Sequence, residues 1–107
     1  MRRGTTPTYT LTVDTDLTGW TCYVTLKGLG KKLDLEGDRL TLATVTPVDG
    51  QQTVTTITFG LTQKETLAFK EGKAEVQVRA IKDGTAIATD IAPLTVGRIL
   101  RDGEIHE

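Results

Sequence analysis

The stretch Ala74-Glu-Val-Gln-Val-Arg-Ala-Ile-Lys-Asp-Gly-Thr-Ala-Ile-Ala-Thr-Asp-Ile-Ala92 decides the fold, and it reads as a β-hairpin. Val76, Val78 and Ala80 alternate with Glu75, Gln77 and Arg79, the period of two that gives a strand one dry and one wet face. Asp83-Gly84 supplies the turn, because a two-residue type I′ turn needs positive φ at both centres. With those residues as the turn, Ala80 faces Ile87, Val78 faces Thr89 and Val76 faces Ile91. Arg79, Gln77 and Glu75 then face Ala88, Asp90 and Ala92 on the other surface. One register gives one apolar and one polar face, and that contrast is what pins a register. No catalytic or ligand-binding pattern occurs in the hairpin.

Working outward, the same alternation recurs. Thr8 to Val13 reads as a first strand with Tyr9, Leu11 and Val13 on one face, followed by a turn over Asp14–Gly19. Trp20 to Lys27 is a second strand, placing Trp20, Cys22, Val24 and Leu26 in the core. Gly28-Leu-Gly30 breaks it, and Lys31 to Glu36 forms a third strand with Leu33 and Leu35 inward. A fourth strand over Arg39–Thr46 carries Leu40 and Leu42 on one face. A tight turn is expected at Pro47-Val-Asp-Gly50. The fifth strand, Gln52 to Leu61, has Val54, Ile57, Phe59 and Leu61 inward; Val54 and Ile57 are three apart, so a bulge between Thr55 and Thr56 is expected.

Thr62-Gln-Lys-Glu65 has the form of a capping box and predicts a short helical turn, with Leu67 and Phe69 dipping into the core and Gly72 closing it. The hairpin follows, and its second strand carries on to Leu94 and Val96 past Pro93, a residue at home on an edge or a bulge. About seven short strands, with turn signals every ~8 to 12 residues, predict an all-β fold, an antiparallel immunoglobulin-like β-sandwich with one short helical turn between the fifth and sixth strands. The immunoglobulin pattern is partial, since no cysteine pair accompanies Trp20. The expected organisation is a flexible lead-in over 1–7, one sandwich domain over 8–96 and a tail over 97–107.

Composition sets the limits on function. A chain of 107 residues is one domain, long enough to bury roughly two-thirds of its unfolded surface. Threonine makes up about a fifth of it, an excess of a β-branched residue that favours strands, while serine and asparagine are absent. The formal charge of −1 gives no footprint for nucleic acid or an anionic membrane. Arg2-Arg3 and Lys31-Lys32 are too short to track a phosphate backbone. No apolar run approaches the ~20 residues of a membrane span, and the two N-terminal arginines lack the apolar stretch of a signal peptide. The single Cys22 fits a chain made and kept in a reducing cytoplasm.

An enzyme is not expected. His106 lies one residue from the C-terminus, where nothing orients it as a base, and without serine no serine triad exists. Cys22 has no histidine partner and alternates with core residues, so it reads as an inert thiol. Asp14 and Asp16 could form half of a calcium site, but the glycine and glutamate of an EF-hand loop are missing and an ordinary turn is expected. No cofactor or metal is expected. Tyr23 points with Thr21, Thr25 and Lys27 to the outer face, the one aromatic available to a carbohydrate. Ile99, Leu100 and Ile105, in a tail beyond the last strand, are the candidate partner-binding residues, docking either on their own sandwich or on a neighbour.

A resemblance runs over nearly the whole chain. Arg3-Gly-Thr-Thr-Pro-Thr-Tyr-Thr-Leu11, Asp16-Leu-Thr-Gly-Trp20, Leu61-Thr-Gln-Lys-Glu-Thr-Leu-Ala-Phe69, Glu75-Val-Gln-Val-Arg-Ala80, Gly84-Thr-Ala-Ile-Ala-Thr-Asp-Ile91 and Ile99-Leu100 resemble small prophage proteins of Gram-positive bacteria. The pattern is also similar to the immunoglobulin-like N-terminal domains of phage upper-baseplate proteins. The resemblance implies a non-enzymatic structural protein of a phage or prophage particle, in the tail or baseplate, synthesised in the bacterial cytoplasm. It would bind other phage structural proteins or itself. The chain ends just after the sandwich, which favours an adaptor over direct host recognition. The alternative is a carbohydrate-binding module for attachment to the host cell surface.

Overall fold

The computed structural model describes residues 1–46 and 52–107; the turn expected at Pro47–Gly50 lies outside the described residues. Eight strands are present among them: β1 (Thr8–Val13), β2 (Thr21–Gly28), β3 (Lys31–Glu36), β4 (Thr41–Val45), β5 (Val54–Gly60), β6 (Gly72–Lys82), β7 (Thr85–Ala88) and β8 (Ala92–Val96). A 3₁₀ turn, Gly37–Arg39, precedes β4, and one helix, α1 (Gln63–Ala68), joins β5 to β6. One sheet runs β1-β5-β4; the other runs β3-β2-β6, with β7 and β8 sharing the far side of β6. Every paired strand is antiparallel. A single core cluster draws on both sheets, with Val13, Ile57 and Phe59 from one and Cys22, Val24, Leu26, Val76 and Val78 from the other. The molecule is a β-sandwich. Lettered from B in chain order, its strands stack B-E-D on C′-C-F-G, as immunoglobulin sheets do, with β7 and β8 together in the place of G.

The hairpin forms as its turn chemistry dictates. Asp83 and Gly84 sit at φ 50° and 80°, the left-handed values of a type I′ turn. Lys82, Ala80 and Arg79 face Thr85, Ile87 and Ala88 as expected. Beyond Ala88 the expected register fails, because Val76 faces Ala92 rather than Ile91, and Glu75 faces Pro93. One extra residue is therefore accommodated between β7 and β8, a bulge. Its cause is visible at Thr89: the Val78 N–H donates to the Thr89 hydroxyl at 3.1 Å instead of to a main-chain carbonyl, while Thr89 N–H still donates to Val78 C=O at 2.9 Å. Past this point the faces exchange, and Ile91 stands 57% exposed.

β5 is corrected in the opposite sense. No bulge interrupts it, since the β1–β5 and β4–β5 registers run continuously. Thr55, Ile57 and Phe59 take the inward positions, and Val54 is only half-buried. A threonine can occupy the core here because its hydroxyl is fully used, accepting from Leu17 N–H at 2.9 Å and donating to Thr15 C=O at 2.8 Å. The same turn explains Trp20. Leu17 is buried in the core, Trp20 N–H closes the turn onto Leu17 C=O at 3.0 Å, and the indole is left half-buried ahead of β2. Leu42 also departs from expectation at 40% exposure, because β4 borders its sheet and exposes all five of its residues.

The helical turn starts as its sequence requires. Thr62 accepts from Glu65 N–H at 3.2 Å, and Glu65 accepts from Thr62 N–H at 2.9 Å, a complete capping box. Phe69, fully buried, terminates the helix in an extended conformation. Its ring lies against Gly28, where a Cβ would stand 2.8 Å from Phe69 Cδ1 and 3.2 Å from Ala74 Cβ. Gly28 is therefore the gap through which the helix end packs onto β2 and β6. Burial of a ring of this size contributes about 1.5–3 kcal/mol.

Candidate interaction surfaces

The tail is tied to its own sandwich through its backbone. Gln63 on α1 acts as a main-chain mimic: its Nε2 donates to Ile105 C=O at 3.0 Å, and its Oε1 accepts from Ile105 N–H at 2.9 Å. The N-terminal segment runs beside it. Arg2 bridges in parallel to Gly97, and Gly97 N–H donates to Met1 C=O at 2.6 Å. Arg3 donates from Nε to Phe69 C=O at 2.7 Å and from Nη2 to Leu67 C=O at 2.8 Å, and its Nη2 lies 3.5 Å from Asp102 Oδ1. These contacts satisfy carbonyls at the C-terminal end of α1 that the helix cannot satisfy itself.

The three aliphatic side chains of the tail are treated differently. Ile99 is half-buried over Gly4, where a Cβ would meet Ile99 Cδ1 at 3.0 Å and Leu67 Cδ2 at 3.4 Å. Leu100 projects into solvent at 94% exposure, and Ile105 is 58% exposed although its peptide group is held. Anchoring the backbone while displaying an aliphatic side chain fits a contact surface better than a cis-docked core.

A second surface lies where the sandwich opens between β1 and the β7–β8 bulge. A cleft of about 350 Å³ is lined by Leu11, Val13, Val76 and Val78, with Asp14 and Asp90 exposed at its rim. It lies beside the bulge, where Thr89 stays bonded to Val78 and Gln77 of β6 while Asp90 and Ile91 leave the ladder. Sequence periodicity gives no sign of it; Pro93, a residue at home on an edge or a bulge, is the one hint. Tyr23, on the outer face of β2, is 37% exposed and lines a shallow depression with Arg79, Ile81 and Ala86.

The remaining titratable candidates are structural. Asp16 Oδ1 accepts from the Thr18 hydroxyl at 2.7 Å and Thr18 N–H at 3.0 Å, and these bonds hold its carboxyl below the usual range. It is a turn cap. Burial raises the Cys22 thiol, which disfavours the reactive thiolate. Arg39 grips Glu65 with both arms, Nη1 to Oε2 at 3.0 Å and Nη2 to Oε1 at 2.7 Å, and holds the carboxyl below its ordinary range against the opposing effect of burial. Among the described residues no group of three or more His, Cys, Asp or Glu is placed to hold a metal, and no helix is long and apolar enough to cross a membrane. Comparison with protein-family models and with curated proteins finds no match to this chain.

Proposed function

We propose that the chain is a non-enzymatic assembly protein of a phage or prophage particle, placed in the tail or baseplate and acting by protein–protein contacts. The observation that carries the assembly reading is the tail, where Gln63 holds the Ile105 peptide group while the Ile105 side chain, like that of Leu100, is displayed to solvent. An isolated domain gains nothing by holding an exposed isoleucine in place, whereas a neighbouring subunit would bury it. The particle itself rests on the resemblance of the Asp16–Trp20, Leu61–Phe69 and Gly84–Ile91 segments. The protein would be synthesised in the host cytoplasm and incorporated into the virion. Mass spectrometry of particles purified after induction of the host strain is expected to find it among the tail proteins; particles that lack it would overturn the assignment.

A second reading, attachment to host carbohydrate, rests on the exposed Tyr23. Retention on host cell-wall material that is lost in Tyr23→Ala would establish it, and equal retention of the two proteins would dismiss it.

A further inference from the structure

The two sheets are of unequal width. β1-β5-β4 is three strands across, while the facing sheet runs β3-β2-β6 with β7 and β8 beyond β6. β1 lies over β6, since Leu11 and Val13 share one cleft with Val76 and Val78. β7 and β8 therefore project one strand past the border that β1 makes. The inner face of that projection is apolar and uncovered: Ile87, turned inward opposite the buried Ala80, is still 36% exposed. A hollow of about 260 Å³ between Val13, Leu17 and Ile87 continues the cleft of about 350 Å³ along this shelf.

The border itself is fit to pair. β1 has six uncharged residues, no proline and an unbroken register with β5, the state in which an edge accepts another strand. Leu61 N–H donates to Pro7 C=O at 3.0 Å, so Pro7 and Leu61 form a hydrogen-bonded pair of the antiparallel ladder. Alternation then turns the peptide groups of Tyr9, Leu11 and Val13 toward β5, and those of Thr8, Thr10 and Thr12 outward. A strand at the usual ~4.8 Å spacing from β1 takes up those groups and lays every second side chain over Val76, Val78 and Ile87.

We propose that this shelf receives a single extended segment of another protein, antiparallel to β1, aliphatic at alternate positions and cationic at its N-terminal end. One strand fits where a folded domain does not: a second copy brought up to β1 would drive its own β6 into β7 and β8. The terminal segments of the chain are fastened elsewhere, Met1 to Arg3 on Thr95, Arg98, Phe69 and Leu67, and Ile105 on Gln63. The strand is therefore donated by a partner. Charge sets its polarity. Among the described residues, Asp14 and Asp90 are the only charged ones lining the cleft, and both are exposed. Asp14 follows the C-terminal end of β1, where antiparallel pairing places the N-terminal end of the added strand. The inference extends the protein–protein reading to a surface apart from the tail, and it stands or falls in purified protein whatever becomes of the particle assignment.

The probe is a synthetic peptide, a pair of lysines followed by alternating valine and threonine over the length of β1. Titrated into the full chain, it is expected to bind saturably and to protect the Thr10 and Thr12 amides, which exchange rapidly in the free protein. Thr12→Pro removes an outward N–H, leaves the ladder to β5 intact and abolishes binding. Asp90→Lys weakens binding on the order of tenfold at low salt, as does replacing the lysines of the peptide by glutamate. A peptide that does not bind overturns the proposal, as does binding that protects no β1 amide or survives Thr12→Pro. So does protein that self-associates without peptide and protects Thr10 and Thr12, since a second copy would then fill the shelf. Should Thr12→Pro fail to fold, a peptide N-methylated at the amides that face β1 decides with the wild type. It cannot pair, and binding equal to that of the parent peptide dismisses the donated strand.

Discussion

Replacing Thr55 by valine keeps the branched shape of a buried side chain and removes only its hydroxyl. That hydroxyl holds Leu17 N–H and Thr15 C=O, at 2.9 and 2.8 Å, in a site where Thr55 is 1% exposed. Two neutral hydrogen bonds of about 0.5–1.5 kcal/mol each are lost, and leaving buried backbone groups unpaired costs about 1–3 kcal/mol. The new methyl group returns about 0.8 kcal/mol of burial. The net expectation for Thr55→Val is a loss of about 1–5 kcal/mol, a large part of the ~5–15 kcal/mol typical of a domain. Thr55→Ser, which keeps the bonds and gives up the methyl, should lose about 1 kcal/mol. Urea unfolding followed by the fluorescence of Trp20, the only tryptophan, measures both, with the midpoint moving at constant m. A loss below about 0.5 kcal/mol in Thr55→Val would refute the bridge and return Val54 to the core-facing position.

Three further outcomes follow from the geometry. Glu65 titrates below its ordinary 4.5 because Arg39 and the Thr62 amide bond its charged form, so its contribution is present above that pH and is lost as pH falls through and below it; Glu65→Gln should flatten this part of the stability–pH curve. Gly28→Ala forces a Cβ to 2.8 Å from the Phe69 ring and should cost about 1–3 kcal/mol in denaturant unfolding. Ile91→Lys should change stability by less than about 0.5 kcal/mol, because the bulge exposes a side chain that an unbroken hairpin would bury.

Much of the architecture was legible in the sequence, and the failures share a physical origin. Asp83-Gly84, the capping box at Thr62–Glu65 and the alternation in β1, β2, β3 and β6 are local signals, and each specifies its element without help from the rest of the chain. Thr55, Thr89 and Leu17 were misread or passed over because their positions depend on distant partners. A threonine reads as surface until Leu17 N–H, 38 residues away, is known to seek its hydroxyl. Thr89 shifts a register by replacing a carbonyl with its side chain, which no periodicity shows. Ile99, Leu100 and Ile105 stood out as aliphatics past the last strand, yet only the structure separates Ile99, packed on Gly4, from the displayed Leu100. The open β1 edge is a property of strand order and was invisible for that reason.

Residue-resolved amide exchange along β1 tests the strand order of this sandwich, with β1 at a sheet border, most directly. The amides of Tyr9, Leu11 and Val13 face β5 and should be protected throughout. Those of Thr8, Thr10 and Thr12 point away from β5 and should exchange rapidly. Uniform protection along the strand would contradict the strand order, because it requires a partner on both sides of β1.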